Sequence, residues 1–497
     1  RNLVQLLQQP YRRYSDEFID LVANHPIVPM SLDELIEHQD GPLQKVRNEL
    51  ARPFVLRLVG RFKVKAMLKK EAITDSGAVR NISTLSPEEN LKLGRFAMSV
   101  SKYLMRTTTW YGPGKSPAQL AKRVAEICHG RPRVCCSDFS KMDATKNSAL
   151  AAYLIAGLYC TIMPFDVKEI AELLEAEMLA TAVTSTGIPY CAAGTQLSGS
   201  ATTTNHNTIA NAFISYAAFR ESGMDKDTAY MNLGTYVGDD GVSLNDATVE
   251  RVAADLGYVV KAEFVQRGQP VPYLSRWFPD AFEGGDGSLQ DVERLMRKAH
   301  ISFGDPSEGV PQNAINRWRG LCELDPNSGV YASGHVALMR ITGLHAKKID
   351  LNWLLSEEKK AGGSGGWPQL ADYDSWFSHF TGVQPDAWVK WFAGLKTWDD
   401  WMRGPPIIID RVGKQKVPGV NPANVFAQPV PQSQNVPPLN ATTGGANPQT
   451  AAAVVLKVKT AAQLLATARR NARRKAARLA AAAGVQNPPQ AAPAGNP

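Results

Sequence analysis

Residues 238–241 of this chain read Gly-Asp-Asp-Gly, and they stand between two short β-type runs, residues 232–237 and 242–244. Glycine on either side makes the link a tight turn and the whole segment a hairpin. Adjacent carboxylates on such a turn repel one another, so the fold must supply something that offsets the repulsion. Divalent cations do so, because hard cations take carboxylate oxygens and substrate phosphates together. Two of them about 3.5–4 Å apart can hold the attacking and leaving oxygens of an in-line phosphoryl displacement. Alone the tripeptide says little, since acids are common in turns. Its meaning depends on what stands upstream.

Upstream, Ser137-Asp138-Phe139-Ser140-Lys141-Met142-Asp143 sets two aspartates five apart at the end of a β-type run over residues 134–139. Between the acidic elements lies Ser198-Gly199-x-x-x-Thr203-x-x-x-Asn207, followed by an apolar helix through Ile209, Phe213 and Tyr216. Glycine and small hydroxyls ahead of a helix form a loop with donors for sugar and phosphate. A plainly capped helix start is the alternative for that element by itself. The order of all these elements, in strand and helix contexts that suit them, is improbable by accident.

The rest of the chain reads as follows. Its 497 residues suggest two to four domains, and 44% hydrophobic with 21% charged residues excludes a disordered or fibrous chain. Residues 51–70 read as strand or extended hairpin. Helices are expected over 95–102 and 117–128, the second with Leu120, Val124 and Ile127 on one face. Another carries Val249, Val252, Ala253 and Leu256 and stops at Gly257, and strands follow over 258–265 and 271–278. Residues 148–165 are uncharged but end in a proline-broken turn, which favours a buried core helix over a membrane span. Residues 178–219 also lack charge, yet their Thr, Ser, Asn and Gly would not suit lipid. Six sparse cysteines with no C-x-x-C pair signal neither a disulfide scaffold nor a zinc site, and favour a reducing compartment. No signal peptide opens the chain, and as it begins at Arg1 rather than Met an upstream targeting segment would be invisible.

The three central elements resemble motifs A, B and C of the RNA-dependent RNA polymerases of positive-strand RNA viruses, and most closely the polymerase part of the nodavirus replicases. The resemblance implies an α+β right-hand fold: an N-terminal extension and fingers over 1–130, a palm over 131–284 with an inserted fingers segment at about 146–195, and a helical thumb over 285–410. It implies Asp138 and Asp239 as principal metal ligands with Asp240 auxiliary, magnesium as cofactor and manganese as its substitute. Asp143 would sense the incoming ribose together with Ser198 and Asn207, with Gly199 and Thr203 in the same nucleotide-binding motif. Lys69, Lys70 and Arg80 resemble fingers motif F, whose cations line the nucleotide channel, and Arg57, Arg61, Lys63 and Lys65 precede them. Lys261 resembles the motif D lysine that protonates pyrophosphate as a general acid. Tyr273-Leu274-Ser275-Arg276 resembles motif E, the hairpin that supports the growing strand, so Tyr273 and Arg276 are expected at the RNA. The implied partners are an RNA template, the nascent strand and NTPs. The family further implies self-association in a membrane-bound replication complex at the mitochondrial outer membrane in the host cytoplasm, anchored through an upstream segment that also concerns capping.

Charge separates the tail from the body. Of the 55 Lys and Arg, eleven lie beyond Asp410, where no acid occurs; residues 1–410 keep 44 basic against 47 acidic groups. The tail, residues 411–497, is low in complexity and expected to be disordered, with Arg469, Arg470, Arg473, Arg474 and Arg478 on one stripe if helical, suited to RNA phosphates or an anionic membrane surface. Other signals are rejected. Gly112-Pro113-Gly114-Lys115-Ser116 lacks the first glycine of a phosphate loop, Cys135-Cys136 suits a core, and His206 receives no role. Two other functions remain in view: a reverse transcriptase, which Asp143 and Asn207 disfavour, and an RNA-binding structural protein with an inactive palm, which the intact acids disfavour.

Overall fold

The computed structural model describes residues 7–39, 41–57, 62–69, 80–297, 306–346 and 366–404. Arg61, Lys70, Glu71 and the whole basic tail lie outside the described residues. The chain divides into two compact units, one running to Gln290 with residues 366–370, the other from Asp291 with residues 371–404.

Among its described residues the first unit contains eleven strands: β1 (Lys63–Leu68), β2 (Asn81–Thr84), β3 (Arg133–Phe139), β4 (Thr181–Val183), β5 (Pro189–Cys191), β6 (Thr235–Val237), β7 (Asp240–Ser243), β8 (Val260–Gln266), β9 (Val271–Tyr273), β10 (Arg276–Phe278) and β11 (Leu289–Gln290). They form sheets in the orders β2-β1-β4-β5, β6-β7-β3-β8 and β11-β10-β9. The second is wholly antiparallel and carries the acids, with β3 at its centre.

Alternation along β3 places it between two cores. Val134 and Cys136 face a cluster with Val124, Val242, Val265, Val271 and Phe278. Cys135 and Phe139 face the larger core, which holds Phe18, Phe213, Tyr216 and Val252. Burial pushes the Cys135 thiol up to about 12, so the two cysteines are core groups. The helix Thr203–Glu221 is buried almost all round from Asn205 to Phe219, which explains why the sequence around it lacks charge. Residues 148–162 also fold into the core, as a helix interrupted by a π turn at Ala151–Ile155. Among the described residues no helix is long and apolar enough to cross a membrane.

Two expectations are corrected. The stretch 51–70 is not one extended piece: it begins as a 3-10 turn, Arg52–Arg57, before β1. The run 271–278 is not one strand either. It folds back at Leu274 and Ser275, both at positive φ (51° and 58°), so that Tyr273 pairs with Arg276. No glycine marks that turn, and periodicity alone could not show it.

In the second unit the helices Val310–Leu324 and Gly329–Thr342 pack together around Trp318, which is fully buried. Its indole meets Tyr331, Phe392 and Trp401 edge-on, with centroids 6.2, 5.2 and 5.3 Å away. Gly334 lets the helix backbone lie against that ring, since a Cβ there would stand 2.1 Å from Trp318. Arg340 then ties this helix to the carbonyls of Phe392 and Leu395, at 2.8 and 2.7 Å.

Candidate active site

The acids converge because antiparallel pairing brings distant segments to one sheet end. Asp138 is the penultimate residue of β3 and is exposed, and Lys261 stands opposite it on β8. The β6–β7 hairpin turns through Gly238 and Asp239, with Val237 paired to Asp240. Gly238 takes φ +63° while Asp239 does not take a positive φ, the pattern of a type II′ turn with glycine first. Asp239 is therefore the tip residue, and Asp240 is already part of β7.

Electrostatics show how close the groups lie. The Asp239 carboxyl is held above the usual aspartate range, first by loss of hydration and next by the charge of Asp138, while Arg80 opposes the rise. Asp143 sits in a 3-10 turn after β3. Its carboxyl is also raised, first by desolvation, with the charge of Asp239 adding to the rise and Asn207 and Lys146 lowering it. Asp239 thus feels both motif A aspartates. Asn207 Nδ2 donates to Asp143 Oδ1 at 2.7 Å, which joins the two residues that the resemblance pairs.

The other expected residues fall into distinct places. Ser198 Oγ accepts from Ser83 N–H at 3.2 Å, and the Gly199 N–H donates to the Ser83 carbonyl at 2.8 Å. The loop before the motif B helix is thereby stitched to β2, next to Arg80. Thr203 directs its hydroxyl to the carbonyls of Leu197 and Ser200, so it shapes that loop. Lys69 donates its backbone N–H to the Arg80 carbonyl at 2.8 Å, closing the ladder of β1 and β2. Tyr273 and Arg276, expected at the RNA, both have buried side chains. Tyr273 OH lies 3.4 Å from Thr235 Oγ1. The Arg276 guanidinium binds Ser288 through its Oγ and carbonyl, at 2.9 and 3.0 Å, and stacks 4.8 Å over Trp367. The rejected phosphate loop is occupied too, since Lys115 Nζ donates to the carbonyls of Thr108 and Thr109.

Sequence reasoning missed the support beneath Asp143. Lys146 Nζ donates to Gln196 Oε1 at 2.7 Å, and the Gln196 backbone N–H donates to the Asp143 carbonyl at 2.8 Å. His206, fully enclosed, has its Nδ1 3.2 Å from the same Gln196 oxygen, and burial holds its pKa well below the ordinary value. It is a neutral core group. It also missed Thr208 and Asn211, which approach the acid turn from the motif B helix; their spacing after Asn207 was the one available signal.

Among the described residues no group of three or more His, Cys, Asp or Glu side chains forms a metal cage by itself. The donor set nevertheless suits magnesium, which is usually held by one or two carboxylates plus substrate phosphates. The raised Asp239 carboxyl beside Asp138 is the electrostatic signature of a pair that a dication would relieve.

No protein-family model matches the chain. Curated relatives do. It is 30% identical to the RNA-directed RNA polymerase of Pieris rapae virus over 72% of this chain and 36% of the relative. It is 30% identical to the RNA-directed RNA polymerase of Striped jack nervous necrosis virus over 82% of this chain and 42% of the relative. It is 27% identical to that of Pariacoto virus over 67% of this chain and 35% of the relative. The chain therefore spans well under half the length of these relatives. Among solved structures, the RNA-dependent RNA polymerase of a human picorbirnavirus matches with a TM-score of 0.51 at 14% identity, over 73% of this chain and 75% of that one. That likeness shows the fold, the viral polymerase fold of helix and sheet.

Proposed function

We propose that this chain, a relative of the nodavirus RNA-directed RNA polymerases over most of its length, performs template-directed RNA synthesis. In that reaction the 3′-hydroxyl of a growing strand attacks the α-phosphate of an NTP and pyrophosphate leaves. The observation that carries this reading is the convergence of Asp138, Asp143 and Asp239 on one sheet end, with Asn207 bonded to Asp143 at 2.7 Å. Neither a reverse transcriptase nor an inactive scaffold finds support among the relatives.

Asp138 and Asp239 would hold the divalent ions, with Asp240 behind them. When bound there, magnesium, or manganese in its place, supplies charge neutralisation for the phosphates and lowers the pKa of the attacking hydroxyl. The protein's own part is placement. Asn207 and Asp143, already joined, present a polar pair to which a ribose 2′-hydroxyl adds a partner. A deoxyribose would leave that pair short of one hydrogen bond, which is a basis for discrimination. Arg80, close enough to Asp239 to influence its charge, binds the triphosphate from the fingers side, together with Lys69 and Lys70. Lys261, beside Asp138 across the β3–β8 ladder, donates a proton to the leaving pyrophosphate. In this reading the helical second unit is the thumb and the β1–β2 sheet belongs to the fingers.

The wider setting is viral RNA replication in a host cell. Self-association, and residence on the mitochondrial outer membrane through an upstream segment, are proposals supported by the resemblance alone. The test of the central reading is nucleotide incorporation by the purified chain on a primed RNA template with magnesium. Elongation that stops when magnesium is withheld supports it; no incorporation with either magnesium or manganese overturns it.

A further inference from the structure

The helix Thr203–Glu221 carries more than Asn207. One turn further along the same face, Asn211 is 2% exposed, and its Nδ2 stands 3.3, 3.2 and 3.3 Å from the carbonyl oxygens of Gly238, Asp239 and Asp240. Beside it, Thr208 Oγ1 accepts from the Gly238 N–H at 2.8 Å and donates to the Thr204 carbonyl at 2.6 Å. One side-chain amide with two hydrogens therefore faces three successive carbonyls. The turn's two residues sit outside the ladder of β6 and β7, and Gly238 brings the widest backbone freedom of any residue. Rotating any of these peptide planes would re-aim the Asp239 carboxylate, and it would also take a part-buried carbonyl away from its hydrogen bond.

We propose that Asn211 is a positioning residue which, with Thr208 as a second hold, clamps the peptide planes of residues 238–240 and so fixes the direction of the Asp239 carboxylate toward Asp138. The inference rests on the polymerase reading and deepens it. Asn207 grips Asp143 from the same helix, so one rigid element sets the ribose-sensing aspartate and the acid turn together.

Two substitutions at one position separate clamping from filling. Asn211→Ala removes the donors. Asn211→Asp keeps the size but turns a carboxylate oxygen toward three carbonyl oxygens, which repel it. In steady-state incorporation, Asn211→Ala is expected to lower kcat roughly tenfold to a hundredfold, the scale of a misplaced reacting group, with KM for the NTP little changed. Asn211→Asp is expected to fall further. If Asn211 merely filled space, the isosteric aspartate would be the milder change, and that order overturns the proposal. A second readout needs neither nucleotide nor metal: amide hydrogen exchange at residues 237–241 should quicken in Asn211→Ala while the β3–β8 ladder stays protected. Unaltered exchange at the turn, or wild-type kcat in Asn211→Ala, overturns it as well. If Asn211→Asp fails to fold, Thr208→Val, which loses the acceptor for Gly238, is expected to reproduce the Asn211→Ala defect, and Thr208→Ser to restore it. Should the wild-type chain itself incorporate nothing, the polymerase reading fails, and the exchange measurement still judges the clamp.

Discussion

The acid turn of the first unit and the tryptophan cluster of the second are built on opposite terms. At the turn, Asp239 carries a carboxyl that burial and Asp138 both push toward protonation, and its neighbour Asp143 suffers the same from desolvation and from Asp239. Among the described residues Arg80 lowers the first carboxyl and Asn207 and Lys146 the second, yet both stay raised. Around Trp318, by contrast, Tyr331, Phe392 and Trp401 meet one another edge-on or stacked, and the glycine opposite is shaped to admit the ring. One region stores repulsion that a substrate and its cation would release. The other turns buried aromatic area into stability. The acid-bearing strand β3 itself runs between two apolar cores, so packing around the charged turn holds it in place, whereas at Trp318 the packing is the whole feature.

The largest expected effect tests that contrast directly. Asp138→Ala and Asp239→Ala should each lower incorporation by roughly three orders of magnitude, since cation-borne charge stabilisation is worth several kcal/mol at 1.36 kcal/mol per tenfold. The melting temperature of either variant, measured without metal, should hold or rise. Wild-type rates with magnesium would sink the assignment of the acids, and a large drop in melting temperature would break the contrast.

Trp318→Ala supplies the opposite case. Removing a fully buried indole should cost about 3–5 kcal/mol, read as a loss of denaturant stability in the second unit by hydrogen exchange over residues 310–342. A cost near zero would mean that the aromatic cluster is ornament to that fold rather than its core.

A smaller effect sharpens what the acid end does. Asp143→Ala or Asn207→Ala should cut the preference for ribo- over deoxynucleotides by about tenfold, on the scale of one polar group left unpaired at 1–3 kcal/mol. The measurement is the ratio of kcat/KM for matched nucleotide pairs. An unchanged ratio in both variants removes them from ribose selection.

The last effect is thermodynamic and is the most modest. Raised folded-state carboxyl pKa values mean that the ionised site costs stability at neutral pH, and that the cost fades as pH falls through those values. Added magnesium should therefore raise the melting temperature most near neutral pH, by an amount equivalent to about 1.4 kcal/mol at tenfold excess over its Kd. The gain should shrink as acid protonates Asp239 and Asp143, and Asp239→Asn should abolish most of it at every pH. A gain independent of pH would place the ion elsewhere.

Much of the site was legible because its signals are local. The β-type run over residues 134–139 that carries Asp138, the glycine-flanked Asp239 and the i, i+4 step from Thr203 to Asn207 each follow from a few neighbouring residues, and the structure brings these acids to one sheet end. Errors arose where local pattern was ambiguous. Residues 271–278 alternate like a single strand, yet Leu274 and Ser275 adopt the left-handed region without a glycine to announce it. The motif E resemblance sets Tyr273 and Arg276 at the RNA, whereas in the structure Ser288 and Trp367 close over the guanidinium.

What the sequence by itself determined was the inventory: which carboxylates, which small-residue loop, which helix, and the order in which they come. That inventory depends on side-chain chemistry and on periods of two and 3.6 residues, both written along the chain. Tertiary structure alone decided which groups answer one another. Arg80 comes within reach of Asp239 only because β2 is stitched to the loop at Ser198 and Gly199. Asn211 meets the carbonyls of residues 238–240 only because the helix Thr203–Glu221 packs against the β6–β7 hairpin, a contact between positions 27 to 29 residues apart. Such partners are selected by the packing of whole elements, and no window of neighbouring residues contains that information.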